Sequence, residues 1–222
     1  MQIASFLTAP MPVTACPPAA AGHCVVVRAE LMPHAFPPHA VSAAARALAE
    51  RVGTRLVGRP LRVACLLPSG RPVVMPITGA ESCLVSVAHS RRLLAAAACR
   101  GVGGVGIDIV AADDPSAALD WCFDAAEAAA AGSRARLWAA KEAAYKAARI
   151  DAGFQPRRVR IAPAGATRFR WSIDADFGIV GGVGGWTDAG GHVVAVAVQP
   201  APGHSLAADA LAVHCQEAAQ CS

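Results

Sequence analysis

Apolar residues recur at steps of three and four between His39 and Val57. The repeating positions are Val41, Ala45, Leu48, Val52 and Leu56. Charged residues occupy the other faces of this segment, among them Arg46, Glu50 and Arg51. The spacing predicts an amphipathic helix that packs one apolar face against the rest of the protein.

Short apolar runs elsewhere in the chain predict β-strands. The predicted strands are Leu61–Leu67, Pro72–Ile77, Cys83–Ala88, Leu93–Cys99, Val105–Val110, Arg157–Ala162, Arg168–Ile173 and His192–Val198. Clusters of glycine, proline and serine between several of these runs are typical of turns. The glycine-rich residues 178–185 lie between two predicted strands and carry no strand prediction of their own.

A second helical region covers about residues 124–150. It breaks near Gly132, and Ser133 has the side chain of a suitable N-cap for the helix that follows. A helix followed by strands therefore occurs twice along the chain. We predict an α+β fold of two similar helix-plus-antiparallel-sheet halves that share an interface.

The expected boundaries divide the chain into four parts. Residues 1–24 are rich in proline, alanine and threonine, so we expect an extended or disordered N-terminus. Residues 25–103 form the predicted N-terminal half and residues 104–200 the predicted C-terminal half. Residues 201–222 are expected to be a tail, either a short helix or disordered.

The composition excludes several classes of protein. Hydrophobic residues make up 55% of the chain, but no stretch of 18 strongly apolar residues is present, and the N-terminus lacks the basic segment of a signal peptide. The net charge of +4 favours acidic partners only weakly and does not indicate nucleic acid. None of the 8 cysteines forms a C-x-x-C pair, which favours free thiols. We therefore expect a cytoplasmic monomer that binds neither membrane nor nucleic acid.

The segment Gly101–Gly106 formally matches the G-x-G-x-x-G pattern of dinucleotide-binding proteins. That motif requires a helix to open directly on the glycines, so that its N-terminus meets the pyrophosphate. The residues that follow here, Ile107–Val110, are strand-like. We predict a hairpin turn that leads into a strand, and a dinucleotide-dependent oxidoreductase remains an alternative.

Three segments contain residues suited to catalysis, although each has an ordinary structural explanation. Asp108 interrupts an apolar strand, where it could simply face solvent. Glu142 and Lys146 are four residues apart on one helix face, as in a common surface ion pair. His89 ends an apolar strand, where a structural histidine is frequent. Only the three segments together indicate chemistry.

The order and spacing of these segments resemble the 4'-phosphopantetheinyl transferases, specifically the surfactin-type and enterobactin-type enzymes. The matching motifs are Gly70-Arg71-Pro72, Ala88-His89-Ser90, Gly106-Ile107-Asp108 and Trp138-x-x-Lys141-Glu142-Ala143-x-x-Lys146. Residues 44–48 are similar to the arginine helix of the enterobactin branch, and Phe123 with Glu127 resembles the family's Phe-x-x-x-Glu step. The resemblance covers roughly residues 39–199 and implies two halves related by pseudo-twofold symmetry.

The resemblance also implies an activity. Such an enzyme transfers the 4'-phosphopantetheine arm of coenzyme A to a serine of an apo acyl, polyketide or peptidyl carrier protein, and releases adenosine 3',5'-bisphosphate. Asp108 and Glu142 are then expected to bind Mg²⁺, with Mn²⁺ as an alternative, and Glu142 to accept the proton of the serine. Lys146 would stabilise charge on the pyrophosphate. Arg46, Arg71, His89 and Lys141 would contact the phosphates of coenzyme A in a cleft between the halves.

The chain departs from the family pattern in ways that leave a second interpretation open. Val110 stands where the family often has a second acid, so water or another group must complete the metal's ligands. The segment between Asp108 and Glu142 is shorter than in many relatives, and Ala88 and Ala139 replace hydroxyl residues. A degenerate homologue that binds coenzyme A or a carrier protein without turnover is therefore the alternative. The sequence identifies neither the carrier nor its pathway.

Overall fold

The computed structural model describes residues 24–31, 38–65, 71–75, 83–90, 93–113, 120–151, 153–175 and 178–203. The strands are β1 (Cys24–Leu31), β2 (Val63–Cys65), β3 (Pro72–Val74), β4 (Cys83–Ser90), β5 (Leu93–Arg100), β6 (Val102–Ala111), β7 (Val159–Pro163), β8 (Arg168–Ala175), β9 (Gly178–Ala189) and β10 (His192–Pro200). The α-helices are α1 (Pro38–Val57), α2 (Ala125–Ala131) and α3 (Arg134–Ala148), and short 3₁₀ turns occur at Asp120–Cys122 and Pro156–Arg158. The predicted N-terminal extension up to residue 23 and the predicted tail from residue 204 lie outside the described residues.

Two antiparallel sheets with helices on their outer faces form the body of the described chain. The first sheet has the strand order β1-β5-β4 and the second the order β6-β10-β9-β8-β7, while β2 and β3 pair separately. Helix α1 packs on one face of the first sheet, and α3 packs on one face of the second. The remaining faces of the two sheets meet in a shared apolar core. The predicted α+β class is confirmed.

The two sheets repeat one order of elements. In the first half β1 is followed by α1 and four strands, of which β2 and β3 pair separately, and in the second β6 is followed by α2, α3 and four strands. In both sheets the first strand lies beside the last. The chain crosses from the first sheet to the second at Gly101, which has a φ of 71°. Each half thus buries the helix-facing side of its own sheet and shares the other side, as expected for two similar layered units.

Alternation along β5 explains its run of alanines. Leu94, Ala96 and Ala98 face α1, whereas Ala95 and Ala97 face the second sheet. Because both faces are covered, no position on this strand needs a polar side chain. A buried polar contact also links the halves: the backbone N–H of Ile107 donates to the Ser86 hydroxyl over 3.1 Å.

The glycines of β6 allow α3 to lie unusually close to the sheet. A Cβ atom added to Gly104 would lie 1.8 Å from the carbonyl oxygen of Ala147, and one added to Gly106 would lie 1.9 Å from that of Ala143. The G-x-G-x-x-G match therefore reflects helix–strand packing, and the dinucleotide alternative lacks the required helix N-terminus. The predicted hairpin is wrong, because β5 and β6 diverge into different sheets after Gly101.

The sequence pattern missed two strands, β1 and β9. Strand β9 contains the glycine-rich segment, where low strand propensity argued against pairing. In the structure, aromatic side chains of β8 cover these glycines: a Cβ on Gly182 would lie 2.9 Å from the Trp171 ring, and one on Gly184 would lie 2.2 Å from the Phe169 ring. Tertiary packing supplies the side-chain contact that the glycines cannot.

None of the helices in the described residues combines the length and the hydropathy needed to cross a lipid bilayer. The cysteines classified within the same residues, Cys65, Cys83, Cys99 and Cys122, are free thiols.

Substitution of Gly106 by alanine tests the close helix–strand contact. We expect Gly106→Ala to lower the free energy of unfolding by about 3 kcal/mol, since the backbone of α3 must move to admit the methyl group. Gly153→Ala is the matched control, because no atom lies within 4 Å of the added Cβ atom. Its effect should stay within about 0.5 kcal/mol. Urea unfolding curves measure both values, and equal effects of the two changes would contradict the packing.

Candidate active site

Three charged side chains from two elements meet at one point. The Lys146 ammonium lies 2.6 Å from Oδ1 of Asp108 and 3.9 Å from Oε2 of Glu142. It also donates to the carbonyl oxygen of Ile107 over 3.1 Å. The carboxyl groups of Asp108 and Glu142 are close enough for each to influence the pKa of the other. The two acids that the sequence analysis selected, far apart along the chain, are thus direct neighbours.

The local sequence explains why these groups meet. Asp108 lies on the same face of β6 as Gly104 and Gly106, so it faces α3 where the helix approaches most closely. Glu142 and Lys146 share one face of α3 at a spacing of four residues. The helix starts where Ser133, the predicted N-cap, accepts a hydrogen bond from the backbone N–H of Arg136 at 3.1 Å. The position of this N-cap determines which residues of α3 lie opposite the end of β6.

Burial sets the protonation of the two acids. Burial raises the pKa of Asp108 above its usual range, although the Lys146 ammonium opposes the shift. The pKa of Glu142 rises to about 7, first through burial and then through the negative charge of Asp108. Lys146 and a hydrogen bond from the Trp138 side chain act in the opposite direction. Two neighbouring acids resist simultaneous ionisation, so the pair retains a proton to higher pH than isolated carboxyl groups would.

The carboxylate oxygens of Asp108 and Glu142 suit a hard divalent cation that completes its coordination with oxygens from other molecules. Within the described residues no group of three or more His, Cys, Asp or Glu side chains could hold a metal ion. Val110, at the position of the family's second acid, is 4% exposed and packs in the apolar core under α3. Mg²⁺ commonly uses one or two carboxylates and completes its coordination with phosphate oxygens and water. Asp108 and Glu142 match that requirement.

Four aromatic side chains pack together around Trp138, which lies one turn of α3 before Glu142. The Trp138 ring lies 6.1 Å from that of Phe123 and 5.6 Å from that of Phe154, both edge to face. Phe154 also contacts Tyr145, with 5.2 Å between ring centroids. The sequence analysis did not find Phe154, because a single aromatic residue in a loop after a helix has no motif. Phe154 reaches Trp138 and Tyr145 only because the loop after α3 folds back over the helix.

Lys141 does not join the three charged side chains. Its side chain is 1% exposed, and its ammonium donates to the carbonyl oxygens of Pro156, at 3.0 Å, and Val159. It also forms an ion pair of 2.8 Å with the buried carboxylate of Glu127. Burial lowers the pKa of Lys141, and the Glu127 carboxylate opposes this shift. In this position the Lys141 ammonium contacts protein oxygens, and the expected phosphate contact stays a prediction.

The other expected phosphate contacts lie in the first half. Arg71 donates to the carbonyl oxygen of Ile150 over 3.4 Å and to the Asp151 carboxylate over 3.0 Å, so it joins the first half to the end of α3. Arg46 on α1 and His89 on β4 are exposed. Within the described part of the chain, neither is hydrogen bonded or ion paired to the acids of the site.

Comparison with known families agrees with this geometry. Residues 104–197 match the family model of the 4'-phosphopantetheinyl transferase superfamily. The matched segment corresponds to most of the second sheet and its helices, so the similarity is to a domain of that superfamily. The match spans Asp108, Glu142 and Lys146. No curated protein matches the chain significantly.

Replacement of Glu142 by glutamine should alter the pH dependence of stability. The folded pKa of about 7 exceeds the ordinary value of 4.5, so the folded state keeps a proton that the unfolded state releases as the pH rises. Wild-type stability should therefore fall between about pH 4.5 and 7. Glu142→Gln removes this loss and should be more stable than wild type by about 1–2 kcal/mol at pH 8.

The same comparison near pH 4.5 is the control, because protonated glutamate and glutamine have similar shape and charge. Thermal unfolding in buffer that contains a chelator measures both conditions. An equal difference at pH 4.5 and pH 8 would contradict the raised pKa.

Proposed function

We propose that this protein transfers the 4'-phosphopantetheine arm of coenzyme A to a serine hydroxyl of an apo carrier protein and releases adenosine 3',5'-bisphosphate. The supporting observation is the direct contact of Asp108, Glu142 and Lys146 within the superfamily segment. Two acids and one cation between α3 and β6 suit the transfer of a phosphoryl group from a diphosphate, because positioning and charge neutralisation dominate that reaction. The enzyme would act in the cytoplasm as a monomer.

Asp108 and Glu142 would hold the Mg²⁺ ion, with Mn²⁺ as the alternative. When bound, this ion would supply charge neutralisation at the diphosphate of coenzyme A. Glu142 has a second role in the proposal, because a carboxyl group with a pKa of about 7 is close to the ideal for a general base near neutral pH. It would accept the proton that the carrier serine loses as its oxygen attacks phosphorus.

Lys146 would stabilise the negative charge that develops on the departing phosphate. Its side chain is 31% exposed, so the ammonium is accessible to a ligand from the cleft. Arg46, Arg71 and His89 would bind phosphates of coenzyme A from the first half, where a guanidinium can engage phosphate oxygens in pairs. Coenzyme A bound in this way would contact both halves of the protein.

A homologue that binds coenzyme A or a carrier protein without turnover is the second candidate. The observation that favours it is Val110, whose burial in the apolar core leaves the site with two carboxylates. Turnover and binding must therefore be measured separately.

Incubation with coenzyme A, Mg²⁺ and a panel of apo acyl, polyketide and peptidyl carriers tests the proposal. We expect a mass gain of one phosphopantetheine arm on at least one carrier. Asp108→Asn and Glu142→Gln should each reduce the rate by at least about 100-fold, because each removes a charge that acts on the diphosphate or the serine. Asp174→Asn, on the exposed face of β8, is the matched acid-to-amide control and should retain the wild-type rate.

Near-native rates in either site variant would contradict the site assignment. Tight binding of coenzyme A in calorimetry without any mass gain across the panel would favour the second candidate. Circular dichroism of each variant verifies that the fold is retained.

Removal of the Lys146 charge should affect turnover more than binding. We expect Lys146→Met to lower kcat by about 100-fold and to raise the KM for coenzyme A by no more than about threefold, since the ammonium acts mainly on charge that develops in the transition state. Steady-state kinetics against coenzyme A measures both constants. A large rise in KM with unchanged kcat would assign Lys146 to ground-state binding instead.

A further inference from the structure

The buried Lys141 ammonium is surrounded by oxygen atoms of the protein. It donates hydrogen bonds to the carbonyl oxygens of Pro156, at 3.0 Å, and Val159. It also lies 2.8 Å from Glu127 Oε2 in an ion pair. Glu127 in turn is only 8% exposed and cannot be solvated if the lysine leaves. Breaking a buried ion pair from one side is strongly unfavourable, so the ammonium stays in the interior.

The acceptors of Lys141 belong to separate elements around α3. Glu127 lies on α2, Pro156 begins the 3₁₀ turn before β7, and Val159 begins β7 itself. The other carboxylate oxygen of Glu127 accepts the backbone N–H of Ile161 on β7 over 2.5 Å. Because β7 is the last strand of its sheet, this N–H would otherwise have no partner strand. One ion pair therefore ties α2, α3 and the edge of the sheet together.

The contact between α3 and β6 does little by itself to fix the rotation of the helix. Its contact with β6 is made by the alanines and glycines described above, which have short or no side chains and so interlock weakly. Interdigitation of larger side chains is what normally fixes the relative orientation of packed elements. Lys141 and Glu142 are adjacent, and their side chains leave the helix about 100° apart. Holding Lys141 towards β7 consequently directs Glu142 towards Asp108 on β6.

We propose that Lys141 is a positioning residue for the transfer reaction: its buried ion pair with Glu127 fixes the rotation of α3 and thereby the contact of Glu142 with Asp108. The kinetic part of this inference rests on the proposed function, whereas its structural part does not. The motif that contains Lys141 thus combines one lysine that holds the helix with one lysine, Lys146, that faces the ligand.

Two variants separate positioning from stability. Lys141→Met keeps the length of the side chain and leaves the Glu127 carboxylate buried without its cation, so its melting temperature should fall. The double variant Lys141→Met with Glu127→Gln removes both charges and should recover most of that fall. We expect kcat to be reduced by about 10-fold or more in both variants, because small displacements of a catalytic group are costly. The Kd for coenzyme A should change by less than about threefold in calorimetry. Arg170→Met, at an exposed cation on β8, is the control and should behave as wild type.

Each alternative gives a different result. Recovery of kcat together with the melting temperature in the double variant would reduce Lys141 to a structural role and overturn the proposal. Weaker binding of coenzyme A with an unchanged melting temperature would make Lys141 a phosphate contact and would also overturn it. If the wild type transfers nothing, hydrogen exchange still decides: the double variant should lose protection in α3 and β7, and unchanged protection in both would contradict the proposal.

Discussion

The close approach of α3 to β6 is the constraint on which the rest of this structure depends. Gly104 and Gly106 leave no side chain between the strand and the helix, and the alanines of α3 present methyl groups alone. A strand and a helix at this separation can share one small polar site, because a carboxylate on the strand reaches residues on the adjacent helix face directly. The glycines that resemble a nucleotide-binding loop therefore serve the site indirectly, by setting the distance between Asp108 and α3.

Two lysines of α3 differ in solvent exposure, and this difference separates a structural ion pair from one that a ligand can reach. Both ammonium groups are close to a carboxylate, yet Lys141 is 1% exposed and Lys146 is 31% exposed. The first pair contacts only protein oxygens and contributes to the fold, at the desolvation cost that buried ions carry. The second pair is partly exposed, so an incoming anion can compete for the ammonium. Spacing along a helix cannot separate these cases, because residues 141 and 146 both fall within the same motif.

The helices and strands were largely predictable from the sequence, whereas the contacts between residues far apart in the chain were not. Periodicity identified α1, the break at Gly132 and the Ser133 cap, since these features follow from local backbone chemistry. It missed β9, whose glycines become a strand only because Trp171 and Phe169 cover them. The convergence of Asp108 and Glu142 followed from resemblance to a family and not from the pattern itself. The interior position of Lys141 could not be predicted, because it depends on acceptors from α2 and β7 that meet only in the folded chain.

The loss of one acid at Val110 has a consequence for the order of events in the proposed reaction. With both acids ionised, Asp108, Glu142 and Lys146 together carry a formal charge of −1, whereas a second strand acid would make it −2. A divalent cation alone would then leave the site positive, and partly buried net charge is unfavourable. In the proposed reaction, the diphosphate of coenzyme A would supply the missing negative charge and further oxygen ligands. Electroneutrality would therefore favour joint binding of cation and coenzyme A over binding of the cation first. With an apolar side chain at Val110, the proposed substrate would itself complete the metal site.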